Sequence, residues 1–295
     1  MNMIKAWIEA MRLRTLPVSA AGVLAGTACA IYNGGFNTLP FVICLLFALI
    51  AQIVSNFANE YFDFKKGLDR KGREGFRRGV TEGDISPKAM LTATMSLLCL
   101  DSLIGLSLIW WGGWWMLPVG IAIALFALGY SAGPYPLSHH GLGEIAVLIF
   151  FGIVPVSFTC FVQTGTWDNF VTLTLPVGIA IGLMGANVLI VNNYRDADDD
   201  REVGKHTSVV IFGRNTMSRV YFGNGVAACL LLVWVTIGRF DIIWQVGTLL
   251  YLNFHFMIWT RMRNSEGKEL NPLLGKTAML MFAMSVWLLT MIAVA

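Results

Sequence analysis

From Leu175 to Val191 the chain runs without a single charge, and then turns abruptly into Asn192-Asn193-Tyr194-Arg195-Asp196, with Asp198, Asp199 and Asp200 close behind. An uncharged apolar stretch of this length crosses a bilayer as one helix. Comparable runs recur near residues 16–33, 40–62, 88–110, 113–131, 143–163, 172–194, 217–237, 241–259 and 277–294. With 56% hydrophobic residues, 13% charged ones and a mean hydropathy of +0.65, little is left from which to build a soluble domain. The expected fold class is therefore an all-α polytopic membrane protein of about nine transmembrane helices, a single domain over residues 1–295.

The cations give that bundle a direction. Of 21 Lys and Arg residues, all but Arg239 fall in four places: the N-terminus and the loops after the second, sixth and eighth expected spans. The loop after the second alone holds Lys65, Lys66, Arg70, Lys71, Arg73, Arg77, Arg78 and Lys88. Positive loops stay in the cytoplasm, which places the N-terminus and these loops on the cytoplasmic side of the cell (inner or plasma) membrane and the C-terminus outside. Residues 1–14, with Trp7, Ile8 and Met11 among basic residues, read as an interfacial amphipathic helix and not as a cleavable leader. The pairs Trp110-Trp111 and Trp114-Trp115 suit an aromatic belt at the opposite interface. Five scattered cysteines, all inside apolar runs, lack metal-ligand spacing and read as small buried residues.

The acidic string has a counterpart. Asn59-Glu60-Tyr61-Phe62-Asp63 and Asn192-Asn193-Tyr194-Arg195-Asp196 both spell Asn-x-Tyr-x-Asp, and each ends an apolar run and opens a charged loop, expected at 63–87 and 195–216. Asn192, Asp196 and Asp200 are four apart and stack on one face of a continuing helix. Hydration explains most loop acids and suffices for Asp198, Asp199 and Glu202. The repeated pattern at Asn59/Asp63 and Asn192/Asp196/Asp200 asks for more. Facing carboxylates repel unless a cation joins them, and oxygen donors suit a hard ion such as Mg²⁺, which completes its shell with water and phosphate oxygens. Neighbouring Lys and Arg would neutralise further phosphate charge, and the apolar helices beside them would take a long hydrocarbon chain. A diphosphate-activated lipid is the simplest occupant.

In these motifs the whole chain resembles the UbiA superfamily of intramembrane prenyltransferases, whose first motif corresponds to Asn59-Glu60-Tyr61-Phe62-Asp63 with Asp69, and whose second to Asp196 and Asp200. Glu60 stands where the family usually has Asp, and Asp69 arrives two residues late. Arg78-Gly79-Val80-Thr81-Glu82-Gly83-Asp84-Ile85-Ser86 keeps the Arg, the second Gly and the Ile-Ser of a following family string. The stretch from Asn192 to Gly204-Lys205-His206-Thr207, the stretch from Tyr130 to Glu144, and the form Asn56…Asn59…Asp69 are similar to the branch that prenylates 1,4-dihydroxy-2-naphthoate in menaquinone synthesis. Members using 4-hydroxybenzoate tend to carry a basic pair where this chain has His139-His140; a member of the superfamily acting on another aromatic or lipid acceptor, such as 4-hydroxybenzoate, is the alternative.

The resemblance implies a UbiA-type bundle with a parallel internal repeat and a Mg²⁺-dependent transfer. Asp63, Asp69, Asp196, Asp200 and Asn59 would serve as metal ligands. Asn59, Asn192, Asn56, Lys205, Arg78, Arg12 and Arg14 would bind substrate, and Tyr130 would face an allylic cation. Its partners would be a prenyl diphosphate, an aromatic acceptor and the lipid bilayer, with no nucleic acid. Asp101, in the middle of the third span, and Glu144 have no assigned role. A secondary transporter also has many spans, a repeat and buried acids, but its acids sit at mid-membrane. The single Asp-rich string of CDP-alcohol phosphotransferases does not occur here.

Overall fold

The computed structural model describes residues 3–72, 74–240 and 242–295 of the chain; Met1 and Arg73, both included above, lie outside the described residues. Helix α1 (Met3–Met11) leads through a 3-10 turn into α2 (Leu16–Tyr32), followed by α3 (Thr38–Lys65), a loop carrying the short α4 (Gly79–Glu82), α5 (Pro87–Ser107), α6 (Ile109–Gly112) and α7 (Met116–Gly129). Next come α8 (Gly143–Val147), a π-helical stretch Leu148–Ile153, and α9 (Val154–Thr164), stacked as one rod. The second half holds α10 (Leu175–Glu202), the short α11 (Ser208–Phe212), α12 (Arg214–Thr236), α13 (Ile243–Arg263) and α14 (Asn271–Val294).

Helices α2 and α10 form the centre. The first packs against α14, α9 and α3, the second against α12, α14 and the π-helical stretch. Helices α3, α5 and α7 touch one another and make a side lobe. Lipid tails are as apolar as leucine, so helices in a bilayer gain little from apolar burial against each other and associate where small residues let backbones meet. The α2 sequence is built that way, with Ala21, Gly22, Ala25, Gly26 and Ala28 all buried. Gly178 and Gly182 of α10 do the same for the π-helical stretch. A Cβ on Gly152 would stand 2.3 Å from Gly182 Cα, and one on Gly182 would stand 2.4 Å from Leu148 O. No side chain fits there. Gly182→Leu is accordingly expected to cost about 1–3 kcal/mol or more, seen as a clear drop in the detergent melting temperature. Gly223→Leu, whose Cβ would meet nothing within 4 Å, should change it little.

Among the described residues, seven helices are long and apolar enough to cross a membrane, and the chain is a multi-span membrane protein. The count of nine is not established. The fourth and eighth expected spans correspond to α7, only 14 residues long, and to α13, whose 21 residues include Gln245, Asn253, His255 and Arg261. The expected interfacial helix forms over Met3–Met11: Ala6 and Ala10 are buried against Phe57, Val80 and Met90, while Met3, Ile4 and Ile8 stay exposed. The supposed loops begin later than expected. α3 runs to Lys65, and α10 continues through all its aspartates to Glu202, because the backbone hydrogen-bond ladder does not depend on the hydropathy of the side chains it carries.

Candidate active site

Both motif-bearing helices, α3 and α10, end at one cavity of about 1060 Å³, part of it open to solvent. It lies at the end of the bundle where the basic loops converge. Asn59, Asn192, Asp196 and Asp200 line it together with Arg12, Arg78, Arg195 and Lys205.

Asp63 sits just behind that wall, 1% exposed. Lys205 Nζ donates to its Oδ2 at 3.1 Å, His139 Nε2 lies 3.3 Å from Oδ1, and Arg78 Nη2 stands at 3.8 Å. Asn59 Oδ1 accepts from Arg78 Nη2 at 2.8 Å and from Arg12 Nη2 at 3.1 Å, while its Nδ2 donates to Ser131 Oγ at 2.9 Å. Arg78 also faces Asp69 at 3.5 Å. Its Nη1 is buried in the cavity wall without a hydrogen-bond partner. A buried guanidinium donor left over in this way is suited to an anion's oxygen.

On the α10 side, Arg195 grips Asp196 with both ends of its fork, Nε to Oδ1 at 2.7 Å and Nη2 to Oδ2 at 2.8 Å. The same guanidinium donates to Asn192 and to Asn271, and stacks over Phe76, 5.1 Å from the ring centre. The loop after α3 reaches the end of α10 through Arg70, Glu74 and Gly75. Arg70 pairs with Asp199 and Glu202, the Glu74 amide donates to Asp199 at 3.1 Å, and Gly75 lies on the Arg195–Asp196 pair so closely that a Cβ there would stand 2.8 Å from Arg195 Nη2.

Tyr130 caps α7 and lines the cavity, its ring edge-on to Phe126 at 5.8 Å. Lys66 ties the end of α3 to the next loop through Ser131 O at 3.0 Å. Burial lowers its ammonium pKa and the Asp63 charge opposes that shift.

Several expectations change here. Arg14 is exposed and does not line the cavity. Arg12 does, held there by a left-handed backbone (φ 51°) that costs an ordinary residue about 1–2 kcal/mol. Asn56 lines the cavity, but its amide is engaged by Met11 O and Thr15 Oγ1, fastening the N-terminal helix to α3. Glu60 turns away, accepting from the Val80 amide at 2.9 Å; the extra methylene over Asp gives it the reach to brace α4. His139, named above only as standing where other members carry a basic pair, is drawn onto Asp63. Glu144 accepts from Asn193 at 3.0 Å and from Ser208, joining α8, α10 and α11. The main residue missed is Arg195. It stood inside the quoted string, and its signal was an arginine beside an acid at the end of an apolar helix.

Among the described residues no three His, Cys, Asp or Glu side chains converge closely enough to hold a metal ion by themselves. The donor chemistry still fits Mg²⁺. The groups around the cavity are carboxylate and amide oxygens, and Mg²⁺ is commonly held by one or two carboxylates plus water and phosphate oxygens and not by an all-protein cage.

A helical membrane bundle whose basic end closes over a cavity of carboxylates and guanidinium groups defines a membrane protein built to handle a charged head beside the bilayer. Residues 19–291 match the UbiA prenyltransferase family, and the chain belongs to that family of membrane transferases. It is 34% identical over 292 residues to the 1,4-dihydroxy-2-naphthoate octaprenyltransferase of Haemophilus influenzae, covering 95% of this chain and 86% of that one. It is 32% identical over 284 residues to the protein of the same name from Mycobacterium tuberculosis, covering 96% and 94%. The fold is that of a UbiA homolog from Aeropyrum pernix (TM-score 0.69, 16% identity, 94% of this chain and 97% of that one). It is also that of one from Archaeoglobus fulgidus, solved with DMAPP and Mg²⁺ (TM-score 0.64, 17% identity, 94% and 98%).

Proposed function

We propose that this chain transfers a polyprenyl group from its diphosphate to 1,4-dihydroxy-2-naphthoate, with loss of the carboxylate, giving demethylmenaquinol on the cytoplasmic side of the cell membrane. The observation that carries this reading is the junction of two cavities. The charged one shares Gln52, Ser55, Phe126 and Phe151 with a second, apolar space of about 920 Å³ running between α2, α3, α7 and α9. A diphosphate head and a hydrocarbon tail need that sequence of surroundings. The acceptor is supported by relatives of that name that match over nearly the whole chain.

Arg78, with its unpartnered Nη1, binds the diphosphate together with Lys205 and Arg12, while Asn59 orients Arg78 and Arg12 and Asn192 orients Arg195 at the same cavity. Asp63, Asp69, Asp196 and Asp200 would hold Mg²⁺, which when bound supplies positive charge against the departing diphosphate. The prenyl C–O bond breaks with its electron pair leaving on the diphosphate. The ring carbon bearing the carboxylate attacks the allylic cation, a C–C bond forms, and the bond to the carboxylate breaks to release CO₂ and restore the aromatic ring. Tyr130, on the cavity wall, presents its ring to the cation. Arg70, Glu74 and Gly75, fastened onto α10, help to keep bulk water from that cation.

The deciding experiment gives purified protein Mg²⁺, a long-chain prenyl diphosphate and either 1,4-dihydroxy-2-naphthoate or 4-hydroxybenzoate, and weighs the products. A decarboxylated prenyl naphthoquinol is expected; product with hydroxybenzoate alone would replace the acceptor. Arg70→Ala tests the closing loop. Arg70 and Glu202 are exposed and Asp199 keeps the Glu74 amide, so the melting temperature should change little, while KM for the prenyl diphosphate should rise by less than about tenfold, one lost charged contact.

A further inference from the structure

A third cavity lies in the side lobe, between α3, α5 and α7, with about 780 Å³ of empty space. Its walls are almost wholly apolar. Asp101 breaks that pattern: it is 3% exposed, lines the cavity, and its Oδ1 is buried without a hydrogen-bond partner. The other polar side chain on these walls among the described residues, Ser102, is already engaged, donating to Leu98 O at 2.8 Å. A carboxyl group in the hydrocarbon region is costly and by default functional.

The surroundings narrow what it does. A metal ion needs several oxygen donors, and the walls offer one carboxyl. A proton path needs a chain of polar groups, and apolar side chains surround this one. What fits is a molecule with one hydrogen-bonding group for Asp101 and an apolar body for the rest. Entry is from the bilayer, because Leu106, Leu117 and Ile121 line the cavity and are also exposed on the outer face of the lobe.

We propose that this cavity is a second binding site, taking a membrane-dissolved prenylated quinol or quinone whose ring oxygen bonds Asp101. The naming of the ligand rests on the function proposed above. Under that reading the chain itself produces such a molecule, and the Asp101 cavity shares Phe47, Ala51, Gly105, Met116 and Gly120 with the apolar space assigned to the prenyl tail. The product therefore finds, one wall away, a place that matches both its oxygen and its hydrocarbon.

The test measures binding, not turnover. Full-length protein in phosphatidylcholine nanodiscs is saturated with geranyl diphosphate and Mg²⁺, then titrated with 2-geranyl-1,4-naphthoquinone or with 2-geranylnaphthalene, which has the same shape and no oxygen. Wild type is expected to bind the quinone about tenfold more tightly than the naphthalene, the size of one net hydrogen bond. Asp101→Leu should erase that difference, and Asp101→Asn, which still donates and accepts, should keep most of it. Ala124→Leu, which fills this cavity and leaves Asp101 in place, should abolish binding and decides the matter if Asp101→Leu does not fold. Equal binding of the two probes, wild-type affinity in Asp101→Leu, or full displacement by geranyl diphosphate would each overturn the site. If the chain makes no prenylated naphthoquinol, the function above fails, while the binding results still decide this cavity.

Discussion

Asp63→Ala is expected to lower kcat/KM for prenyl transfer by roughly a thousandfold or more, while the protein still inserts into the membrane. Asp63 is where Lys205, His139 and Arg78 meet, although those groups lie on three different stretches of chain. Removing its carboxylate takes away a donor proposed for Mg²⁺ and the charge beside Lys205 and Arg78, the two cations proposed to meet the diphosphate. Losing one such preorganised group costs two to three orders of magnitude in well-studied sites, and here several depend on one. Taking one partner from a buried ion pair also destabilises, by roughly 3 kcal/mol. Asp63→Asn, which keeps the shape, separates the two effects: its melting temperature should stay nearer wild type while turnover is still lost. Monodisperse Asp63→Ala that turns over like wild type would remove the metal-site assignment.

Arg78→Ala comes next, with a fall of about a hundredfold expected in kcat/KM. Arg78 is 5% exposed, donates to Asn59, faces two aspartates, and keeps a buried Nη1 without a partner. That last donor is the group expected to meet a phosphate oxygen. Arg78→Lys should recover only part of the loss, because a single ammonium cannot bridge Asn59 and Asp69 while reaching a phosphate as well. Steady-state kinetics with varied prenyl diphosphate read this directly. If Lys replaced Arg at full rate, charge alone would be the requirement and the fork geometry would be irrelevant.

The membrane class, the two acidic helix ends and their common destination were legible in the chain because each depends on local properties. Hydropathy over a window marks a span, and a spacing of four puts Asn192, Asp196 and Asp200 on one helical face wherever that helix goes. Family likeness added Arg78 and Lys205, and both line the cavity. Spacing carries no information about partners far apart in sequence. Lys205 bonds Asp63 across 142 positions and Asn271 meets Glu74 across 197, so only the packing of α3, α10 and α14 decides those pairs. The same holds for Glu60, which braces α4 although it sits inside a motif, for His139, drawn from a loop onto Asp63, and for Arg14, left outside. The contact of Gly152 with Gly182 was equally hidden, since a glycine shows its purpose only when another backbone fills the space its side chain would take. Asp101 could be seen in the sequence as an acid out of place, but the cavity it faces exists only where α3, α5 and α7 come together.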